Sequence, residues 1–340
     1  MVKIVLDCFG GDKSPTANIA GALAALGEYE DLALILTGDE TVIREELTKS
    51  GAAESERLTI VHAPEVIGCD EKPTDAIRLK KESSMMKAVQ LLRQDDSVSG
   101  MVSVGSTGAL VCAAVLRVGR LRGVCRPAFC PILPTMNGGI VGICDSGANV
   151  ECHPEYLQQF AVMGSRYLES VYGVENPRVA LLNVGVEAEK GDTLHQEAYS
   201  LLAATEGIRF VGNMEGRDLL SGKYDLIVCD GFSGNVLVKT TEGTALELLK
   251  KVKNDIYSSG LYKFGALFMK KMFEQEKEFM NYQNYGGSVM LGSAKTIVKG
   301  HGSSNAKAVA VCIGQAYKME KNRLGEKIEA AIDKLPNAKI

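Results

Sequence analysis

Short apolar runs recur along the chain at 2–6, 32–36, 58–62, 100–104, 140–144, 179–184, 208–211 and 226–229, each of strand length. Helix-spaced apolar positions follow most of them, as at Leu194, Ala198, Leu201 and Leu202. The same spacing returns at Leu237, Thr241, Leu248, Leu249, Val252 and Ile256. Strands alternating with helices predict an α/β fold with helices on both faces of the sheet. Pro154 suits the first turn of a further helix, with Tyr156, Phe160, Met163 and Tyr167 on one face as core or subunit contact, and Gly173 as its C-terminal cap. No internal repeat, low-complexity tract or linker divides the chain, so residues 1–340 are expected to form a single domain. The tail after Gly325 is charged and is expected to fray at its end.

Composition narrows the function classes. Hydrophobic residues make up 46% and charged residues 24% of 340, the balance of a water-soluble globular protein with a large core. The net charge of −4 lacks the concentrated Lys and Arg that nucleic-acid backbones demand. Nine cysteines are scattered without a CxxC pair, which favours small buried thiols in a reducing compartment over a metal cluster or a disulfide framework. Asp7 interrupts the first apolar run, so no signal segment is expected, and no apolar run reaches the length of a membrane span. Glycine is abundant, 36 against 9 prolines, which points to tight corners where backbone approaches something closely.

Three such corners share one chemistry: Val104-Gly105-Ser106-Thr107-Gly108-Ala109, Asp230-Gly231-Phe232-Ser233-Gly234-Asn235-Val236 and Gly300-His301-Gly302-Ser303-Ser304-Asn305. Each sets glycine, hydroxyl or amide groups just before a predicted helix. There unpaired N–H groups and the positive dipole end favour an anion, although Ser, Thr and Asn also serve as plain N-caps. None matches GxxxxGK[ST] or GxGxxG, so a small oxyanion such as phosphate fits better than a nucleotide. Further polar islands at strand ends are Asp7–Asp12, Asp145–Asn149 and Asn183–Asp192. The carboxylates of Asp7, Asp12 and Asp145 serve equally well as turn residues or as site residues.

Taken together and in order, these motifs resemble the bacterial phosphate acyltransferase family that transfers a fatty acyl group from acyl-carrier protein to phosphate. The resemblance runs through Asp7-Cys8-Phe9-Gly10-Gly11-Asp12-Lys13-Ser14-Pro15, Gly105–Ala109, Asp145–Val150, Leu181–Gly185, Asp230–Val236, Asn284-Tyr285-Gly286-Gly287 and His301–Ser304. The chain departs from the family pattern at Cys8 and Phe9 (usually Ala-Met), at Ser106 (usually Asn) and at Ser146 (usually Val). Serine still donates a hydrogen bond, with shorter reach than asparagine.

The resemblance implies an α/β/α sandwich with Rossmann-like architecture akin to isocitrate and isopropylmalate dehydrogenases, in a homodimer without cofactor or metal. It implies acyl-carrier protein and inorganic phosphate as partners. The acyl phosphate formed would feed phospholipid synthesis, with a glycerol-3-phosphate acyltransferase downstream. The expected location is cytoplasmic, with peripheral association at the inner face of the membrane. Lys190, in a stretch resembling the family's Glu-x-x-Lys-Gly element, is expected to neutralise phosphate or the developing oxyanion. Asn235 is expected to act as a neutral donor, and His301 to protonate the leaving thiolate or pair with phosphate. Gly105, Ser106, Thr107, Gly108, Ser233, Gly234 and Ser303 are the expected phosphate cradle, supported by Asp12, Asp145, Asn149, Asn183 and Asp230.

From Ser258 to Met280, Leu261, Phe264, Phe268 and Met272 fall at helical spacing beside Leu267, with Lys263, Lys270, Lys271 and Lys277 nearby. An apolar stripe rimmed by lysine suits a membrane interface or an acidic carrier protein. The resemblance favours a helical hairpin around 255–282 protruding near the dimer contact. Competing functions are a phosphotransacetylase acting on acyl-coenzyme A, an NAD-dependent dehydrogenase of the same fold, and a non-catalytic membrane scaffold.

Overall fold

The computed structural model describes residues 1–279 and 282–336. In chain order the strands are β1 (Val2–Asp7), β2 (Leu32–Gly38), β3 (Leu58–His62), β4 (Gly100–Ser103), β5 (Ala128–Cys130), β6 (Ile132–Pro134), β7 (Ile140–Cys144), β8 (Arg178–Asn183), β9 (Arg209–Glu215), β10 (Leu226–Val228), β11 (Ser288–Leu291) and β12 (Thr296–Lys299). The helices are α1 (Thr16–Glu28), α2 (Glu40–Lys49), α3 (Pro73–Leu79), α4 (Ser84–Gln94), α5 (Thr107–Ala113), α6 (Pro154–Tyr167), α7 (Thr193–Ala203), α8 (Gly231–Tyr257), α9 (Gly260–Phe268), α10 (Lys270–Phe279), α11 (Ala306–Lys321) and α12 (Leu324–Ile332). All eight apolar runs of the sequence are strands. Four further short strands, β5, β6, β11 and β12, were not apparent from the pattern.

Two sheets result. The larger runs β3-β2-β1-β4-β12-β11-β5 and the smaller β6-β7-β10-β8-β9. Pairing is parallel except around β11 and between β6 and β7. Alternation along β1 shows why helices cover both faces: Ile4 and Leu6 pack with Ile19, Ala22, Val309 and Ile313 of α1 and α11, whereas Val5 packs with Met85 and Val89 of α4. This is the expected α/β/α arrangement. The chain passes between the sheets at Pro131, straight from β5 into β6.

Phe160, Met163 and Tyr167 of α6 are buried, Tyr156 packs against the same core, and Gly173 takes the left-handed conformation expected of a C-terminal cap. The fraying expected at the end of the tail falls outside the described residues, whereas the first part of the tail is helical. Helix α12 buries Leu324, Ile328 and Ile332, and Leu335 joins the same core, because its apolar residues recur at the i, i+4, i+8 spacing of one helix face. Residues 337–340 lie outside the described residues. No helix among the described residues is long and apolar enough to cross a membrane.

Gly21 marks the crossing of α1 and α11. A Cβ there would stand 2.6 Å from the Ala306 carbonyl oxygen and 2.7 Å from Val309 Cβ. Helix propensity alone would reward alanine at this position by about 1 kcal/mol. The clash with backbone outweighs that gain, and Gly21→Ala is expected to lower stability by about 1–3 kcal/mol in urea denaturation.

Candidate active site

A cavity of about 490 Å³ opens where the two sheets meet, at the carboxyl ends of β4 and β12. Gly105, Ser106, Thr107 and Gly108 line it from the start of α5, Asn235 from the start of α8, and Gly300, His301 and Gly302 from the loop after β12. Three corners far apart in the chain therefore face one space, joined by Ser146, Gly286, Gly287 and Ser288. Helix α8 contributes Asn235, Val238, Lys239 and Glu242, whose i, i+3, i+4, i+7 spacing puts them on one face.

Two buried carboxylates hold the corners. Asp7, at the end of β1, accepts from Ser84 Oγ at 2.6 Å, Ser103 Oγ at 2.7 Å and the Phe9 N–H at 3.3 Å. Ser103 Oγ in turn accepts the Gly105 N–H at 3.1 Å. Gly105 and Gly10 touch backbone to backbone: a Cβ on Gly10 would stand 2.5 Å from the Gly105 nitrogen, so only glycine fits. Asp145 accepts the N–H groups of Phe129 at 2.8 Å, Gly147 at 3.2 Å, Ala148 at 3.0 Å and Asn149 at 2.7 Å. Asn149 adds its side-chain amide at 3.0 Å, and its carbonyl receives the Gly231 N–H at 2.7 Å, seating α8. Burial raises the carboxyl pKa of both aspartates, and these hydrogen bonds oppose the rise.

The structure separates the remaining expected residues. Asp230 caps α8 by accepting the Ser233 N–H at 2.9 Å, so that N–H is already satisfied, and neither Ser233 nor Gly234 lines the cavity. Gly234 packs under Asp145, whose carbonyl oxygen would lie 1.9 Å from an added Cβ. Asp12 is exposed and ties the first loop to the third through its N–H to the Gly302 carbonyl at 2.8 Å. Ser106 caps α5 through its hydroxyl, 3.4 Å from the Ala109 N–H, and also faces the cavity. Thr107 and Gly108 follow in the first turn, where N–H groups have no acceptor within the helix.

Lys190, the cation expected from the sequence, does not line this cavity. It is exposed on the loop between β8 and α7 and is absent from the lining, its carbonyl held by Asn183 Nδ2 at 3.0 Å. Two lysines that sequence reasoning missed stand there instead, Lys239 and Lys299. Lys299 ends β12, is 8% exposed, and donates to the Gly300 carbonyl. Burial brings its ammonium pKa down to about 8.

His301 Nδ1 accepts the Ser303 N–H at 3.2 Å and lies 2.9 Å from Ser303 Oγ, which assigns the proton of the neutral ring to Nε2. Partial burial, then the positive charge of Lys239, hold its pKa below the ordinary histidine value. Near neutrality the ring is a neutral donor, and less of it is available as an acid than an ordinary histidine would offer.

On α9, Leu261, Phe264, Leu267 and Phe268 are exposed, and the helix buries none of its residues. The rings of Phe264 and Phe268 meet edge to face with centroids 5.4 Å apart. Lys270 and Lys271 are exposed beside them. The side chain of Lys277 and residues 280–281, at the end of the expected hairpin, lie outside the described residues.

An α/β/α fold whose strand-end corners gather glycine backbone, two lysines and a histidine around one cavity is suited to hold a small anion. Residues 2–327 match the family model described as fatty acid synthesis protein. The chain is 43% identical to the phosphate acyltransferase of Lacticaseibacillus casei over 336 residues, covering 98% of this chain and 97% of that one. It is also 43% identical to the phosphate acyltransferase of Bacillus cereus over 333 residues, covering 98% and 99%. The chain belongs to this phosphate acyltransferase family. Among solved structures, a phosphotransacetylase from Streptococcus pyogenes shares the fold with TM-score 0.60 and 17% identity over 94% of each chain. A branched-chain phosphotransacylase from Enterococcus faecalis does so with TM-score 0.55 and 12% identity over 94% of this chain and all of that one.

The ammonium form of Lys299 attracts anions and the neutral amine does not, so a dianion should bind more weakly as pH rises through about 8. Sulfate, whose own charge is constant there, is the probe. Its affinity by calorimetry is expected to fall up to about tenfold per pH unit above that point. Lys299→Met should bind sulfate weakly and flatten the profile.

Proposed function

We propose that this chain converts a long-chain acyl-carrier-protein thioester and inorganic phosphate to acyl phosphate and free carrier protein, for use in phospholipid synthesis. The observation that carries this is Lys299, a buried lysine in the lining of a cavity that also gathers Lys239, glycine backbone and neutral donors, with Glu71 and Glu242 at its wall. A multiply charged nucleophile loses water only where fixed charge replaces it, and a buried lysine supplies that charge.

Lys299 and Lys239 hold the phosphate. One phosphate oxygen attacks the thioester carbonyl carbon, forming the C–O bond. The C–S bond then breaks, its electron pair leaves on sulfur, and the proton lost by phosphate balances the one gained by the thiolate. Phosphate is itself the nucleophile, so no acyl-enzyme is required. Negative charge on the carbonyl oxygen is met by the N–H groups of Thr107 and Gly108, by Asn235 Nδ2 and by His301 Nε2–H. Their advantage is orientation before the reaction begins. Asn235 Nδ2 makes only a 3.3 Å contact with the Ser146 carbonyl, which substrate can replace.

The exposed apolar face of α9 with Lys263, Lys270 and Lys271 supports peripheral contact with an anionic membrane. Such contact is weak and reversible.

Acyl-phosphate formation should be followed with acyl-carrier protein and, separately, with acyl-coenzyme A. Lys299→Met is expected to lower kcat/KM for phosphate by about a hundredfold or more, and Lys190→Ala by less than about threefold. The opposite ranking would move the anion site to the loop after β8. Preference for acyl-coenzyme A would replace the carrier protein as donor. Separately, liposomes containing anionic lipid should float the wild type and not the double variant Phe264→Asp plus Phe268→Asp, whereas equal flotation of both removes the membrane role.

A further inference from the structure

The cavity is far larger than a phosphate ion needs. Its volume of about 490 Å³ lies within the range of sites for whole organic ligands, roughly 300–1,000 Å³. Part of its lining is an apolar wall of Phe129, Pro131, Ile132 and Leu133, at the crossing from β5 to β6, with Val238 of α8. Phe129, Ile132, Leu133 and Val238 are each less than a tenth exposed.

These side chains come from three separate apolar clusters. Ile132 belongs to the core around α1, α6 and α11, Phe129 to the core under α4 and α5, and Leu133 and Val238 to the core behind the smaller sheet. The wall is therefore a seam between cores. Side chains at a seam can part without emptying the interior of any one core, which is what an extended apolar guest requires. Left wet, the wall forgoes about 25 cal/mol for each Å² it could bury.

We propose that this wall is the acyl subsite: it seats the hydrocarbon chain next to the reacting carbonyl, and Leu133 and Val238 set which chain lengths are accepted. The subsite rests on the acyl-transfer function above. The carbonyl lies between the two groups of residues, with phosphate toward Lys299 and the chain toward Leu133. The polar residues of α8 on the same face, Asn235, Lys239 and Glu242, flank Val238 and keep the chain from turning toward them.

The test is kcat/KM across carrier-protein thioesters from short to long chain, for wild type, Val238→Phe and Leu133→Ala, with KM for phosphate measured alongside. Val238→Phe is expected to lower kcat/KM for long chains at least about tenfold more than for short ones, with KM for phosphate changed less than about twofold. Leu133→Ala should move the optimum the other way, toward longer or bulkier chains, and it decides the matter alone if Val238→Phe does not fold. Uniform change across all donors overturns the subsite while leaving acyl transfer standing. A wild type that makes no acyl phosphate from any thioester removes acyl transfer itself, and the subsite with it.

Discussion

The carboxylate of Asp145 is the contact on which the rest of the structure depends. It takes the Phe129 N–H from the edge of the larger sheet, and from its own loop the N–H groups of Gly147, Ala148 and Asn149. Through Asn149 it fixes the start of α8. A buried carboxylate costs several kcal/mol unless such donors surround it, so the loop has little freedom to take another shape. Asp7 does the same for the first corner through Ser84, Ser103 and Gly105. Chemistry at the cavity thus rests on two acids that never touch it. Those acids position backbone, and backbone positions the anion.

The sequence spoke most clearly where burial is regular. Apolar runs of five or so residues between turn signals mark β1, β2 and β8, because both faces of those strands are covered. The four strands it left unread are three or four residues long and broken by Pro131 or by glycine. They are also the ones that carry Phe129, Ile132, Leu133, Ser288 and Lys299 into the cavity. A site at the seam between sheets is built from the pieces that periodicity describes worst.

Lys190 and Lys299 show the same limit in a single residue type. Lys190 stood in a polar loop beside glycine, where a phosphate ligand was natural, and it is exposed. Lys299 stood at the end of Thr296-Ile297-Val298, a run with every residue buried. The signal was present: a lysine closing an apolar strand immediately before Gly-His-Gly lies at the carboxyl end of that strand, where open α/β sheets bind ligands. The glycine corners themselves were legible, since close backbone approach leaves a mark in residue type that a lone cation does not. For Ser233, what the sequence could not rank was whether a helix start greets an anion or its own capping aspartate, because both use the same N–H groups.

Helix α8 joins two regions that otherwise have nothing in common. It is 27 residues long, roughly 40 Å from end to end, and buries only Gly231, Gly234 and Val238 near its beginning. One end presents Asn235 to the cavity and the other hands the chain to α9. A continuous α-helix behaves as a stiff rod over this span, so the separation is metered in residues: each turn added or removed would shift the far end by about 5 Å and swing its facing direction. Insertions and deletions in that stretch would therefore be tolerated only in register with the helical turn, like teeth on a rack.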